Sequence, residues 1–251
     1  MAQAGRNPFA SPDQHRNDRR GAKRNDERVA LQLAPEEPEA GPWRVEPLTV
    51  LIQTLTRHGS SLTMPQRPVI LAIDGRSNSG KTTLAGRISR AVEGAAVIHS
   101  DDIAWRHSRF GWADLLIDGI LLPVHQGGAV SYRPPRWAEH GRSGSIDVAA
   151  DCPLLIIEGD GAGRREVARL IDALIWVQSD ECEAERRVLH RIGKPNEAPT
   201  MAAHREWMAE EIPFNAAERT WERADIIVCG TPEVAWDPVT DVVVAPPPLP
   251  P

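Results

Sequence analysis

Eight consecutive residues, Gly75-Arg76-Ser77-Asn78-Ser79-Gly80-Lys81-Thr82, constrain this chain more than any others. They have the G-x-x-x-x-G-K-[ST] spacing of a phosphate-binding loop. Glycine permits backbone conformations that turn successive amides inward, so such a loop makes a nest for phosphate oxygens. The run Val69-Ile-Leu-Ala-Ile73 predicts a strand directly before it, and Lys81 to Val92 reads as the helix it opens. The positive end of that helix faces the same anion. In this arrangement Lys81 reaches the β- and γ-phosphates, and Thr82 offers its hydroxyl to Mg2+. Gly75 through Thr82, with Thr83 beside them, therefore form a candidate site for ATP and Mg2+.

The rest of the pattern agrees with an open α/β sheet. Leu48, Leu51, Ile52 and Leu55 share one face of a helix over 47–57. Further strands are expected at 96–99, 154–157, 173–177 and 225–228, with helices at 112–122, 164–172, 180–192, 199–211 and 215–222. Five apolar strands separated by helices predict a mostly parallel five-stranded sheet covered on both faces. Residues 1–40 mix Arg, Asp, Asn, Pro and Gly without apolar periodicity, which predicts a disordered tail. A domain over 41–235 and a Pro-rich tail over 236–251 follow.

Composition removes several alternatives. A net charge of −6 argues against a general nucleic-acid binder. No run approaches the roughly 18 apolar residues that span a bilayer. The polar start lacks a secretory core, which leaves the cytoplasm as the expected compartment. Cys152, Cys182 and Cys229 are far apart, lack metal-ligand spacing, and read as small buried residues.

Asp101 and Asp102 follow the second strand, at the edge where open α/β sheets bind ligands. One of them could take the proton of a hydroxyl attacking the γ-phosphate, or cap a helix. Glu158 closes a four-residue apolar strand, where a carboxylate holds Mg2+ or simply ends in a turn. Arg186, Arg187 and Arg191 share a predicted helix, as phosphoryl clamps or as solvated charge.

These elements together resemble the uridine kinase and phosphoribulokinase-like group of P-loop kinases. The resemblance runs over about 68–232, through Gly75-Arg-Ser-Asn-Ser-Gly-Lys-Thr-Thr83, Ser100-Asp-Asp, Leu155-Ile-Ile-Glu-Gly159, Arg186-Arg187 and Ala224-Asp-Ile-Ile-Val228. It implies a P-loop NTPase fold with a helical lid and ATP-dependent phosphorylation of a small acceptor, a nucleoside or similar. It implies Asp101 as base, Lys81, Arg187 and Arg191 at the transferring phosphate, Arg186 on the nucleotide, and Glu158 with Thr82 on Mg2+. On the acceptor side the match falls on Asp102, Asp114, Trp137, His140 and Arg142, while Pro135-Arg136 replaces the group's Tyr-Asp pair. Two other classes remain: an ATPase switch without an acceptor, and a nucleotide-binding module that has lost catalysis. The N-K-x-D guanine motif of a GTPase is absent from the sequence.

Overall fold

The computed structural model describes residues 31–59, 67–191 and 200–248, all within the unit Leu31–Pro251. Its strands are β1 (Arg44–Pro47), β2 (Val69–Gly75), β3 (Ala96–His99), β4 (Val130–Tyr132), β5 (Ile146–Val148), β6 (Leu154–Glu158), β7 (Ala173–Gln178), β8 (Ile226–Cys229) and β9 (Asp241–Ala245). Its helices are α1 (Leu48–Gly59), α2 (Lys81–Ala91), α3 (Ser100–Ala104), α4 (Ala113–Leu116), α5 (Leu122–His125), α6 (Pro135–Glu139), α7 (Glu181–Arg191) and α8 (Met201–Glu218). One π-turn, Ile117–Leu121, joins α4 to α5, so the helix expected at 112–122 is present as one helical run over 113–125 with a π-bulge inside it.

The five expected strands form the parallel part of the main sheet, in the order β8-β7-β2-β6-β3. Two antiparallel strands, β9 and then β1, extend it beyond β8. The sheet thus has seven strands rather than five, and β4 and β5 form a separate hairpin. Alternate residues of β2 face opposite layers, as the pleat requires. Leu71 and Ile73 pack with Leu51 and Leu55 of α1 and Leu84 and Ile88 of α2. Ile70 packs on the other face with Ile103, Trp112, Leu116 and Ile120. Each such fully buried side chain contributes about 1.5–3 kcal/mol, so the two faces hold the sheet as the rigid base of the site.

Three expectations change. Residues 164–172 are a run of turns, because the buried Arg164 side chain takes the carbonyls of Gly161 and Phe110 in a packed corner. The pieces expected at 199–211 and 215–222 are one helix, α8, with Pro213 inside it, followed by a short 3-10 turn at Thr220–Glu222. Both tails are also shorter than composition suggests. Val242, Val243 and Val244 are buried in β9, well inside the segment 236–251. At the other end Ala34, Glu37 and Ala40 are buried against the sheet. The Glu37 carboxylate accepts from Trp176 Nε1 at 2.6 Å and Gln178 Nε2 at 3.0 Å, and Ala40 N donates to Gln178 Oε1 at 2.9 Å. Residues 1–30 and 249–251 lie outside the described residues. Among the described residues no helix is long and apolar enough to cross a membrane.

Candidate active site

Parallel pairing brings three strand ends to one edge. Ile73 of β2 and His99 of β3 both sit opposite Glu158 of β6. The phosphate-binding loop starts at that edge. Gly75 has φ +149, and a Cβ there would lie 2.6 Å from the Val177 carbonyl oxygen, so the tight exit from β2 needs glycine. Ser79 N donates to Arg76 O at 3.1 Å, closing the loop on itself before α2 begins. The fully buried Asp74 braces it, accepting from the amides of Gly75, Gly161 and Gly163 at 2.7–2.9 Å.

Lys81 and Thr82 open α2 and point to different partners. Lys81 Nζ lies 2.5 Å from Asp160 Oδ1 and donates to Arg76 O at 2.8 Å. Burial works against its charge, but the Asp160 carboxylate more than offsets this and holds the ammonium above its usual pKa. Thr82 Oγ1 lies 3.2 Å from both Glu158 oxygens. His99 Nδ1 lies 2.5 Å from Glu158 Oε1, and this contact raises the pKa of the imidazole. Asp101 opens toward the cleft from α3. Its carboxyl is pushed up by the surrounding protein and then by Asp160 and Glu158, although its outer side meets solvent.

Lys81, Thr82, Asp101, Glu158 and Asp160 line one cleft of 1210 Å3, and His99 is not part of that lining. Loop residues Ser77 to Thr83 form its floor, with Asp101, Glu158 and Asp160 along one side. Arg186 and Arg187 of α7 also line it. Arg187 donates to Asn78 O at 3.0 Å and Gly230 O at 2.8 Å, so it clasps the loop from outside. Arg186 is exposed and paired with Glu183 at 2.7 Å. Arg191 ends α7, and its side chain lies outside the described residues.

Four of the residues matched to an acceptor, Asp102, Trp137, His140 and Arg142, gather around Trp105 beside Asp101, and Asp114 lies apart from them. Arg142 pairs with Asp102 at 2.5 Å and stacks 3.6 Å over the Trp137 ring, whose Nε1 donates to Asp102 O at 2.8 Å. His140 meets Trp105 edge-on at 6.0 Å. Asp114 is exposed on α4, on the side of Tyr132, whose phenol it helps to push up after burial. The cleft lining takes in Trp105 but not Asp102, Asp114, Trp137, His140 or Arg142.

Several groups at the site escaped the sequence reading. Asp160 also accepts from Ser77 Oγ at 2.7 Å and from Trp207 Nε1 at 3.1 Å. Glu211 of α8 is buried and accepts from Ser77 N at 2.6 Å. Burial, then the nearby Asp160 charge, raises its pKa to about 7. Only Asp160 had a local signal, since it stands two residues beyond Glu158 at a strand end. Cys229 lines the cleft half-buried and Cys182 is exposed, so of the three thiols only Cys152 is buried.

Oxygen donors suit Mg2+, which takes one or two carboxylates and leaves its other positions to water and phosphate. The Thr82 hydroxyl and the Glu158 carboxylate meet that description beside the loop. Among the described residues no cluster of three or more His, Cys, Asp or Glu forms a metal cage, which such a site does not need.

No family model and no curated protein matches the chain. Solved structures do. A protein provisionally named a fructose transport system kinase, from Silicibacter sp. TM1040, is 17% identical with a TM-score of 0.50, covering 70% of this chain and 94% of its own. A D-glycerate 3-kinase from Cryptococcus neoformans is 12% identical with a TM-score of 0.49, covering 72% and 93%. A possible uridine kinase from Bacillus stearothermophilus is 21% identical with a TM-score of 0.44, covering 71% and 98%. At such identities the likeness speaks to architecture: the chain has the fold of the P-loop kinases.

Proposed function

We propose that the protein transfers the γ-phosphate of ATP to a hydroxyl of a small acceptor. One observation carries this reading: Lys81, Thr82, Glu158 and Asp101 converge on a single cleft at the C-terminal edge of a parallel sheet. Phosphoryl transfer requires positioning and charge stabilisation more than covalent participation by the protein. The inward amides of the loop and the start of α2 would hold the phosphates. Lys81 would leave Asp160 for the transferring group, carrying positive charge to where negative charge develops. Mg2+ held by Thr82 and Glu158 would neutralise charge between the β- and γ-phosphates. Asp101, with its proton affinity raised by burial and neighbouring acids, would accept the acceptor's proton.

The nucleoside acceptor implied by the resemblance would depend on Trp137, His140, Arg142, Asp102 and Asp114. Arg142, Asp102 and the Trp137 indole nitrogen already satisfy one another, so that reading draws little support from the geometry. Purified protein should release ADP from ATP and Mg2+ in an acceptor-dependent manner across a panel of nucleosides, sugars, sugar phosphates and hydroxy acids. ADP release that no acceptor stimulates would favour the ATPase switch. ATP binding without any release would favour a module without catalysis.

A further inference from the structure

Beyond the phosphate-binding floor, the cleft is walled by the loop after α3 and by the first turns of α8. The ionisable residues on this wall are Arg106, His107, Arg109 and His204, with no carboxylate among the lining residues there. Two of them are already engaged. Arg109 is paired with Glu206 and Glu210, and His107 Nε2 lies 2.9 Å from Gly111 O. Arg106 and His204 have no hydrogen-bond or ion-pair partner among the described residues. The Arg106 guanidinium rests 5.3 Å over the Trp105 ring, which also lines the cleft.

The backbone of Arg106 supplies an independent observation. Its φ is +55, the left-handed region, in a residue with a full side chain. Such a conformation costs about 1–2 kcal/mol and gathers at sites where a side chain must be aimed. A planar guanidinium is suited to carboxylate or phosphate oxygens, which it grips with two parallel hydrogen bonds. A cleft of 1210 Å3 exceeds the roughly 300–1,000 Å3 of a pocket for one small ligand. It has room for an acceptor beside the nucleotide.

We propose that the acceptor is a small anionic alcohol, whose carboxylate or phosphate is held by Arg106 and His204 while its hydroxyl faces Asp101. This rests on the kinase reading and narrows it. Arg106 is exposed at the mouth of the cleft, so a neutral sugar or nucleoside would leave its guanidinium to water and make no use of it. An acid group compensates it and fixes the far end of the molecule, which orients the hydroxyl at the other end. No proton or electron is exchanged at Arg106; the transfer itself remains the displacement of ADP from the γ-phosphate by the acceptor oxygen.

The test measures ADP release from ATP and Mg2+ with D-glycerate, ribose 5-phosphate, uridine and fructose, in the full-length protein and in Arg106→Gln and Arg106→Lys. Turnover with glycerate points to a carboxylate acceptor, and turnover with ribose 5-phosphate to a phosphorylated one. Arg106→Gln should then raise the acceptor KM about 10- to 100-fold, the effect of removing a charge-assisted contact, while the KM for ATP stays within about twofold. Arg106→Lys should recover part of the loss, because it restores the charge without the planar fork. Faster turnover of uridine or fructose than of either anion overturns the proposal, as does an anion KM indifferent to Arg106→Gln. If none of the four is phosphorylated, thermal shift with a non-hydrolysable ATP analogue and each compound still decides it. Stabilisation by an anion that disappears in Arg106→Gln keeps the anion site while the kinase reading fails. The absence of any Arg106-dependent stabilisation overturns the site itself.

Discussion

Lys81 Nζ and Asp160 Oδ1 stand 2.5 Å apart, so the lysine that would grip phosphate is held by an acid two residues beyond Glu158. On the proposed reading, phosphate would have to take Lys81 from that acid. Lys81→Ala removes the contact to the transferring group and is expected to cost at least about 3 kcal/mol, more than 100-fold in kcat/KM. Asp160→Asn removes the closest counter-charge of the buried ammonium, leaving only Glu211 and Asp74 further off, which is expected to lower the Tm of the free protein and to tighten ATP binding several-fold. Calorimetric titration and thermal melts measure both. Unchanged melting and unchanged affinity in Asp160→Asn would mean that the pair does not compete with phosphate.

Glu211 makes stability depend on pH. Its carboxyl, raised to about 7 by burial and by Asp160, keeps a proton in the folded chain where the unfolded chain has lost it. The facing charges are Asp160, Lys81 and Arg76, with the Ser77 amide donating to it. A raised carboxyl pKa stabilises fully below the unfolded value near 4.5, and that stability is lost as pH rises toward about 7. The slope is at most about 1.4 kcal/mol per pH unit. Tm should therefore fall across that window, and Glu211→Gln, which cannot ionise, should flatten the fall. Parallel curves for the two proteins would remove Glu211 as the source.

Composition places residues 31–40 within the disordered tail expected over 1–40, and Glu37 argues otherwise. Glu37→Ala strands the buried Trp176 indole nitrogen and takes one of two acceptors from Gln178 Nε2, which keeps the Pro38 carbonyl. Each unsatisfied buried polar group costs about 1–3 kcal/mol, and urea unfolding should show a loss of that size. Glu37→Gln, which retains an acceptor oxygen, should lose less. A stability within about 0.5 kcal/mol of the parent for Glu37→Ala would show that the segment adds nothing beyond ordinary surface contact.

What the sequence disclosed follows from the range over which each feature is set. Leu154–Ile157 and Ala173–Val177 read as strands because central parallel strands are buried on both faces and so are apolar throughout. Strand β9 hides in a Pro-rich end, and β1, Arg44–Pro47, is largely exposed and bears two charges, so neither shows such a run. The phosphate-binding loop is legible because its chemistry is contained in eight adjacent residues. Glu211 reaches Ser77 across 134 positions and Glu37 reaches Trp176 across 139. No local pattern marks a carboxylate brought in from so far. The helix expected over 164–172 failed for a similar reason: buried Arg164, stacked 4.0 Å from Trp112, makes a tertiary corner of a segment whose composition suits a helix.

The sharpest distinction between transfer and mere binding lies in Asp101 and Asp102. Asp101 lines the cleft beside Glu158 and Asp160, whereas Asp102 faces away and is paired with Arg142 at 2.5 Å. If Asp101 is the base, Asp101→Asn should still bind ATP and Mg2+, because on this reading Lys81, Thr82 and Glu158 would hold those groups. Its transfer rate should fall by about 10²–10⁴, the usual contribution of a positioned base. A base acts only when deprotonated, and burial and the neighbouring acids raise this carboxyl above the ordinary aspartate value of 3.8. kcat/KM should therefore decline as pH falls through that raised pKa, and Asp101→Asn should lack the decline. Asp102→Asn should disturb the Arg142 and Trp137 cluster, with a smaller loss of rate and no change in the pH profile. Three results would go against this assignment. Loss of ATP binding in Asp101→Asn would make the residue a metal or folding group. A crippled Asp102→Asn beside a healthy Asp101→Asn would move the base by one residue. Small and equal losses in both would leave the two acids as the first-turn acids of α3, with the proton taken elsewhere.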